Sequence, residues 1–160
     1  MILDLIKERA SVRNFSSEVP PDDKINRILE AGRLAPSWVN VQPWHFIVIK
    51  DCGTKELLSK MAKGQPHVMQ APVVIVCLGD LSAWEVENYT NIVKSRNLPP
   101  EKEMALIAGN PKLVSQDAVV FRTIEELTYA VSYMTLAVHD EGLGCCVIGA
   151  IGNELTGVLP

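Results

Sequence analysis

Three short stretches of this chain combine residue types and spacings able to do chemistry. Arg9-Ala10-Ser11-Val12-Arg13 sets two guanidinium groups and a hydroxyl at alternate positions. In an extended segment, residues two apart point to the same side. Arginine offers paired planar donors suited to a phosphate or a polarised carbonyl oxygen, and serine adds a short neutral donor. The same residues also fit a solvated basic turn. In Ala35-Pro36-Ser37-Trp38-Val39-Asn40-Val41-Gln42-Pro43-Trp44, two carboxamides stand among prolines and tryptophans. Side-chain amides both donate and accept, as the mixed edge of a heteroaromatic ring requires. Trp38 or Trp44 could wall a planar ligand, or both could pack in the core. Gly142-Leu143-Gly144 opens the third stretch, which continues through Cys145, Cys146, Ile148 and Gly149 to Gly152. Val147 breaks a dinucleotide-binding glycine pattern and Ala150 stands where a P-loop needs lysine. What is left is a segment whose glycines let a flat group approach the backbone, or simply a tight exit from a helix.

Other reactive side chains are scattered. His45, His67 and His139 have no partner at metal-ligand spacing, and each reads as structural. Cys52, Cys77, Cys145 and Cys146 form no C-x-x-C pair, so neither a zinc site nor a disulfide framework is expected. No nucleophile elbow is present. An enzyme built from these residues needs a cofactor for the hard chemistry.

The 160 residues suit a single domain, residues 1–160, large enough to bury a real core. A formal net charge of −4 argues against nucleic acid as partner, although a local basic pocket survives in a net negative chain. Charges interrupt the first ten residues too early for a signal peptide, and no apolar run is long enough to span a membrane. A cytoplasmic protein in a reducing compartment is expected.

The elements that must position these stretches are legible from periodicity. Residues 2–9 read as a short helix delivering the Ser11 loop. Pro20 and Pro21 before Asp22 and Asp23 begin a second helix with Ile25, Ile28, Leu29 and Gly32 on its buried stripe, stopped by Pro36. Residues 35–43 are a loop, 45–50 a strand, 54–63 a helix, and 73–77 a strand covered on both faces. Residues 82–101 suggest a mobile surface excursion. Residues 124–140 give the longest helix, with Leu127, Val131, Met134 and Val138 inward and Gly142 as its stop. Residues 145–151 read as a last strand. Helices and strands mixed in this order make an α+β domain.

In order and together, Arg9-x-Ser11-x-Arg13, Ala35-Pro36-Ser37-x-x-Asn40-x-Gln42-Pro43-Trp44, the run Ala71-Pro72-Val73-Val74-Ile75-Val76 and Gly142-Leu143-Gly144 resemble the nitroreductase family of flavoproteins. The resemblance implies a central, mainly antiparallel sheet flanked by helices and an intertwined homodimer with FMN at the subunit interface. It further implies NAD(P)H as electron donor and nitroaromatics, quinones or similar compounds as acceptors. Transfer would be ping-pong: NAD(P)H gives hydride to flavin N5 and leaves before the acceptor enters. Residue by residue, Arg9 and Ser11, with Ala10 between them, look like the FMN phosphate site, and Arg13 like a contact to the ribityl and flavin carbonyl region. Asn40 and Gln42 look like contacts to the pyrimidine edge. Pro36, Ser37 and Trp38 would line the ring, and Ile148 and Gly149 would run beside it. Family members continue with a further strand and a tail that adds a basic residue at the phosphate. Residues 152–160 hold no Arg or Lys, so this chain is expected to lack that strand and tail. The same resemblance leaves open a flavin-storing protein with little turnover, or a relative with altered chemistry such as dehalogenation or flavin cleavage.

Overall fold

The computed structural model describes residues 1–149. In chain order its elements are α1 (Ile2–Glu8), α2 (Asp22–Arg33), a 3-10 turn (Trp38–Asn40), β1 (Trp44–Ile49), α3 (Cys52–Met61), α4 (Pro66–Gln70), β2 (Val74–Gly79), α5 (Val86–Lys94), α6 (Pro100–Ala108) and α7 (Gln116–Asp140). Short 3-10 turns also lie at Leu81–Trp84 and Pro111–Leu113. β1 and β2 pair into a two-stranded sheet. The Asp80 N–H donates to the Pro43 carbonyl at 2.9 Å, which joins the end of β2 to the start of β1 and makes the pair antiparallel. Contacts divide the chain into two compact units, one of Met1–Glu30, Phe46–Val76 and the chain from Met134 onward, the other of Ala31–His45 and Cys77–Tyr133.

In the first unit, α2 begins with Asp22 and Asp23, acids that favour a helix N-terminus, and buries Ile25 and Ile28. Arg27 bridges Asp23 and Glu141, and Lys24 donates to the Glu141 carbonyl, tying the end of α7 to α2. α7 stops as its glycine predicts. Gly142 has φ +72° and donates to His139, while Leu143 donates to Val138, so two otherwise orphaned carbonyls are satisfied. α3 is capped by Asp51, whose carboxylate accepts from the Thr54 N–H at 2.7 Å. Its Leu58 and Ala62 are fully buried, and the buried Lys55 ammonium donates to the Ala71 carbonyl at 2.9 Å.

The second unit has its core where the sequence suggested a surface. Trp84, Tyr89 and Val93 are all fully buried and pack with Val39, Val41 and Val119. Residues 82–101 are therefore not a loose excursion: a 3-10 turn and α5 carry their apolar side inward, and the charges between them obscured that side in the sequence. α7 starts at Gln116, ahead of the expected 124, because the Ser115 hydroxyl accepts from the Ala118 N–H and Val119 and Thr123 already face inward. Its buried positions are Val119, Thr123, Glu126, Ala130 and Met134, a stripe that shares only Met134 with the expected one.

Two strand expectations also change. β2 has one neighbour among the described residues and buries only Val76, so it is half covered rather than enclosed on both faces. Of residues 145–151, the described part forms one parallel bridge, Ser11 with Cys145, and leaves Val147 60% exposed. Ala150, Ile151 and Gly152 lie outside the described residues.

Burial also sorts the thiols. The thiol of Cys77, on β2, is pushed up to about 11 by burial, whereas Cys52 is exposed at the start of α3. Because the thiolate is the nucleophile, iodoacetamide at pH 8 is expected to alkylate Cys52 well ahead of Cys77 in the folded protein. Peptide mass spectrometry reads this, and equal rates would contradict the placement of β2.

Candidate functional site

Each unit carries one part of the predicted site. In the first, α1 ends at Glu8 and the chain leaves it through Arg9, with Ser11 in a parallel bridge to Cys145. The Val12 N–H donates to the Cys145 carbonyl at 2.9 Å, fastening this segment to the chain after Gly144. That fastening needs the glycine, since a Cβ at 144 would lie 2.7 Å from Val12 Cγ2. Arg9, Ala10, Ser11 and Arg13 are exposed, and neither arginine makes an ion pair among the described residues. Beside them is a cavity of about 110 Å³ lined by Arg9, Ala10, Thr135, His139, Gly144 and Cys145. It holds a few water-sized groups, not a flavin. Burial pushes the Cys145 thiol up, against the pull of Arg9. His139 Nε2 lies 3.6 Å from Glu8 Oε2. Ile148 is half-buried and Gly149 exposed, with open space where its Cβ would stand.

In the second unit, the loop after α2 adopts a backbone that its residue types resist. Val39, Asn40 and Gln42 have φ of +45°, +62° and +51°. Asparagine visits this region readily, but a β-branched valine there is a genuine outlier. Such residues cost of order 1–3 kcal/mol each and persist only where their surroundings enforce them. The enforcing contacts are specific. The Ser37 hydroxyl accepts from the Gln42 N–H at 2.9 Å, and Gln42 Nε2 donates to the Arg33 carbonyl at 2.8 Å. The Trp38 N–H donates to Glu126 Oε2 at 3.0 Å. Trp38 Nε1 donates to the Tyr89 hydroxyl at 2.7 Å, which in turn donates to the Leu106 carbonyl at 3.0 Å. The Arg122 guanidinium stands 5.3 Å from the Trp38 ring centre and pairs with Glu125 at 2.7 Å. Burial pushes the Glu126 carboxyl up, while the Trp38 N–H and Arg122 pull it back. Pro36 and Asn40 are exposed, and the Asn40 carboxamide has no hydrogen bond among the described residues.

The structure thus gathers Arg9, Ala10, Ser11 and Arg13 with the chain around Cys145 in one unit, and Pro36, Ser37, Trp38, Asn40 and Gln42 in the other. Sequence reading missed the supports, Tyr89, Arg122 and Glu126.

No group of three or more His, Cys, Asp or Glu that could hold a metal occurs among the described residues. No helix there is long and apolar enough to cross a membrane.

A Thermus thermophilus NADH dehydrogenase is 43% identical over 46% of this chain and 36% of its own length. Bacillus subtilis YodC, which carries the provisional name NAD(P)H nitroreductase, is 27% identical over 95% of this chain and 77% of its own. A protein of Exiguobacterium sibiricum with a provisional nitroreductase name, solved in complex with FMN, superposes with a TM-score of 0.78 at 27% identity, covering 97% of this chain and 77% of that one. The family model described as nitroreductase family matches residues 6–156, and the chain belongs to that family.

Proposed function

We propose that the chain, as one FMN-binding domain over residues 1–160, passes electrons from NAD(P)H to nitroaromatic, quinone or similar acceptors by a ping-pong mechanism. The observation that carries this reading is the pair of exposed arginines, Arg9 and Arg13, without ion pairs among the described residues, on either side of Ser11 in a segment fastened by Val12 to Cys145. A permanent cation and a hydroxyl two residues apart, with a second cation two residues further on, are a donor set that fits a phosphomonoester and the polarised carbonyls of the group attached to it. FMN, when bound, supplies hydride acceptance and return at its N5. Everything else falls to the chain. Arg9 and Ser11 hold the phosphate, and Arg13 places a positive charge that favours added electron density at the ring carbonyls. Gln42, its amide nitrogen committed to Arg33, keeps its carbonyl oxygen as an acceptor for a ring N–H. Asn40 can donate or accept. No residue of either unit is assigned as acid, base or nucleophile.

Exposed apolar residues support a homodimer. Ile2, Leu3 and Ile6 of α1 are 66%, 59% and 51% exposed, and on α7 Phe121 and Ile124 are 73% and 57% exposed. Faces of this kind mark association surfaces. Four cysteines placed without a disulfide partner suit a cytoplasmic setting.

The test is an absorbance spectrum of the purified protein with added FMN, before and after anaerobic NADPH or NADH, alongside light scattering. Flavin bands that stay with a dimer and bleach are expected. Flavin that binds without bleaching would favour storage or altered chemistry, and an FMN-loaded monomer would remove the dimer from the proposal.

A further inference from the structure

The loop that presents Asn40 and Gln42 is held from behind by a residue on α7. Glu126 is 2% exposed, and its carboxylate accepts from the Trp38 N–H at 3.0 Å, at the point where the backbone enters the left-handed run of Val39 and Asn40. A carboxylate is rarely buried unless it is paired or hydrogen-bonded. Here its backbone partner belongs to the loop whose conformation the sequence does not favour. The Trp38 side chain is fixed independently, by Tyr89 at its nitrogen and Arg122 over its ring. The side chain of Trp38 can thus stay docked while its N–H is released, and among the described residues Glu126 is the side chain that accepts from that N–H.

We propose that Glu126 is a positioning residue: through the Trp38 N–H it locks the backbone of residues 38–42 in the conformation that directs the Asn40 and Gln42 amides to the flavin edge. The flavin part of this inference rests on the FMN reading above, whereas the locking of the loop does not. It makes the carboxylate of α7 a determinant of FMN affinity although it touches no part of the cofactor.

Two readouts on the full-length protein separate the parts. Hydrogen exchange of the peptide covering residues 37–42, measured without FMN, reports the lock itself. Glu126→Leu, which keeps the volume and removes the acceptor, is expected to speed exchange there about tenfold or more, as loss of a hydrogen bond to a charged group would. Glu126→Gln keeps an acceptor oxygen and should restore protection. FMN titration, followed by flavin fluorescence, is expected to show the dissociation constant raised about tenfold in Glu126→Leu and near wild type in Glu126→Gln. Thr123→Val serves as control. It removes the acceptor for Trp84 Nε1 one turn earlier on α7 and should lower the melting temperature while leaving FMN affinity unchanged.

Unchanged exchange in Glu126→Leu, or equal FMN loss in Thr123→Val, would overturn the proposal. If Glu126→Leu does not fold, Glu126→Asp decides: its carboxylate is drawn back by one methylene, so faster exchange at 37–42 supports the lock and wild-type exchange refutes it. A wild-type protein that takes up no FMN, or whose affinity is indifferent to Asn40→Ala, would refute the flavin reading while leaving the exchange contrast intact.

Discussion

Replacing Arg9 and Arg13 together with alanine is expected to weaken FMN binding by about a hundredfold or more, with little change in melting temperature. A charge-assisted hydrogen bond contributes about 1.5–3 kcal/mol, and about 1.4 kcal/mol is a factor of ten. Even the low end for each arginine multiplies to two decades. The fold should not register the loss, because both side chains are exposed and make no ion pair among the described residues. Arg9→Lys and Arg13→Lys should recover only part of the affinity, since an ammonium keeps the charge but loses the planar pair of donors. The remaining affinity should also depend less steeply on salt, as fewer cations face the phosphate. Equilibrium titration with FMN at two ionic strengths measures all of this. An unchanged dissociation constant in the double alanine variant would remove these residues from the site.

The parts of this site that a reader of the sequence could find are those whose side chains meet the ligand. Arg9, Ser11, Arg13, Asn40 and Gln42 stand out because arginine pairs and carboxamides between prolines are chemically conspicuous in any context. Helix stops were equally readable: Gly142 does what its lack of a Cβ allows, and Asp22 with Asp23 marks the start of α2. The supports were not readable, for a physical reason. Glu126 and Tyr89 act through single hydrogen bonds across 88 and 51 positions of sequence, both to Trp38. Periodicity reports which face of a helix is apolar, and each of these residues puts a polar atom on an inward face. The inward stripe of α7 was displaced for that reason: the apolar Leu127, Val131 and Val138 drew it to their side, whereas the buried side carries Thr123 and Glu126, 3% and 2% exposed. Residues 82–101 failed in the opposite sense. The charges of Glu85, Glu87 and Lys94 dominate the local pattern, yet their neighbours Trp84, Tyr89 and Val93 are fully buried.

That inversion sets up a large effect on stability. Trp84→Ala is expected to cost about 3–5 kcal/mol, the usual range for removing a buried aromatic side chain. Trp84 is fully buried, its ring lies 6.1 Å from that of Tyr89 at a tilt of 32°, and its Nε1 donates to Thr123 at 2.8 Å. Its carbonyl also accepts from the buried Asn110 amide at 3.0 Å. In a chain of this size each kcal/mol moves the melting temperature by about 2–4 °C, so a fall of roughly 10 °C is expected. Trp84→Phe should cost far less. It keeps an aromatic ring in the site and removes one donor, and the Thr123 hydroxyl still donates to the Val119 carbonyl at 2.8 Å. Thermal and urea unfolding followed by circular dichroism distinguish the two variants, and a Trp84→Ala protein as stable as wild type would mean that this core is not where unit two is held. The consequence reaches the candidate site through one intermediate. Tyr89 packs against Trp84 and grips the indole of Trp38, so a cavity at Trp84 frees Tyr89 to tilt and loosens the side chain that anchors the Asn40 loop. FMN affinity in Trp84→Ala should therefore fall even at temperatures where the protein remains folded, whereas Trp84→Phe should leave it close to wild type.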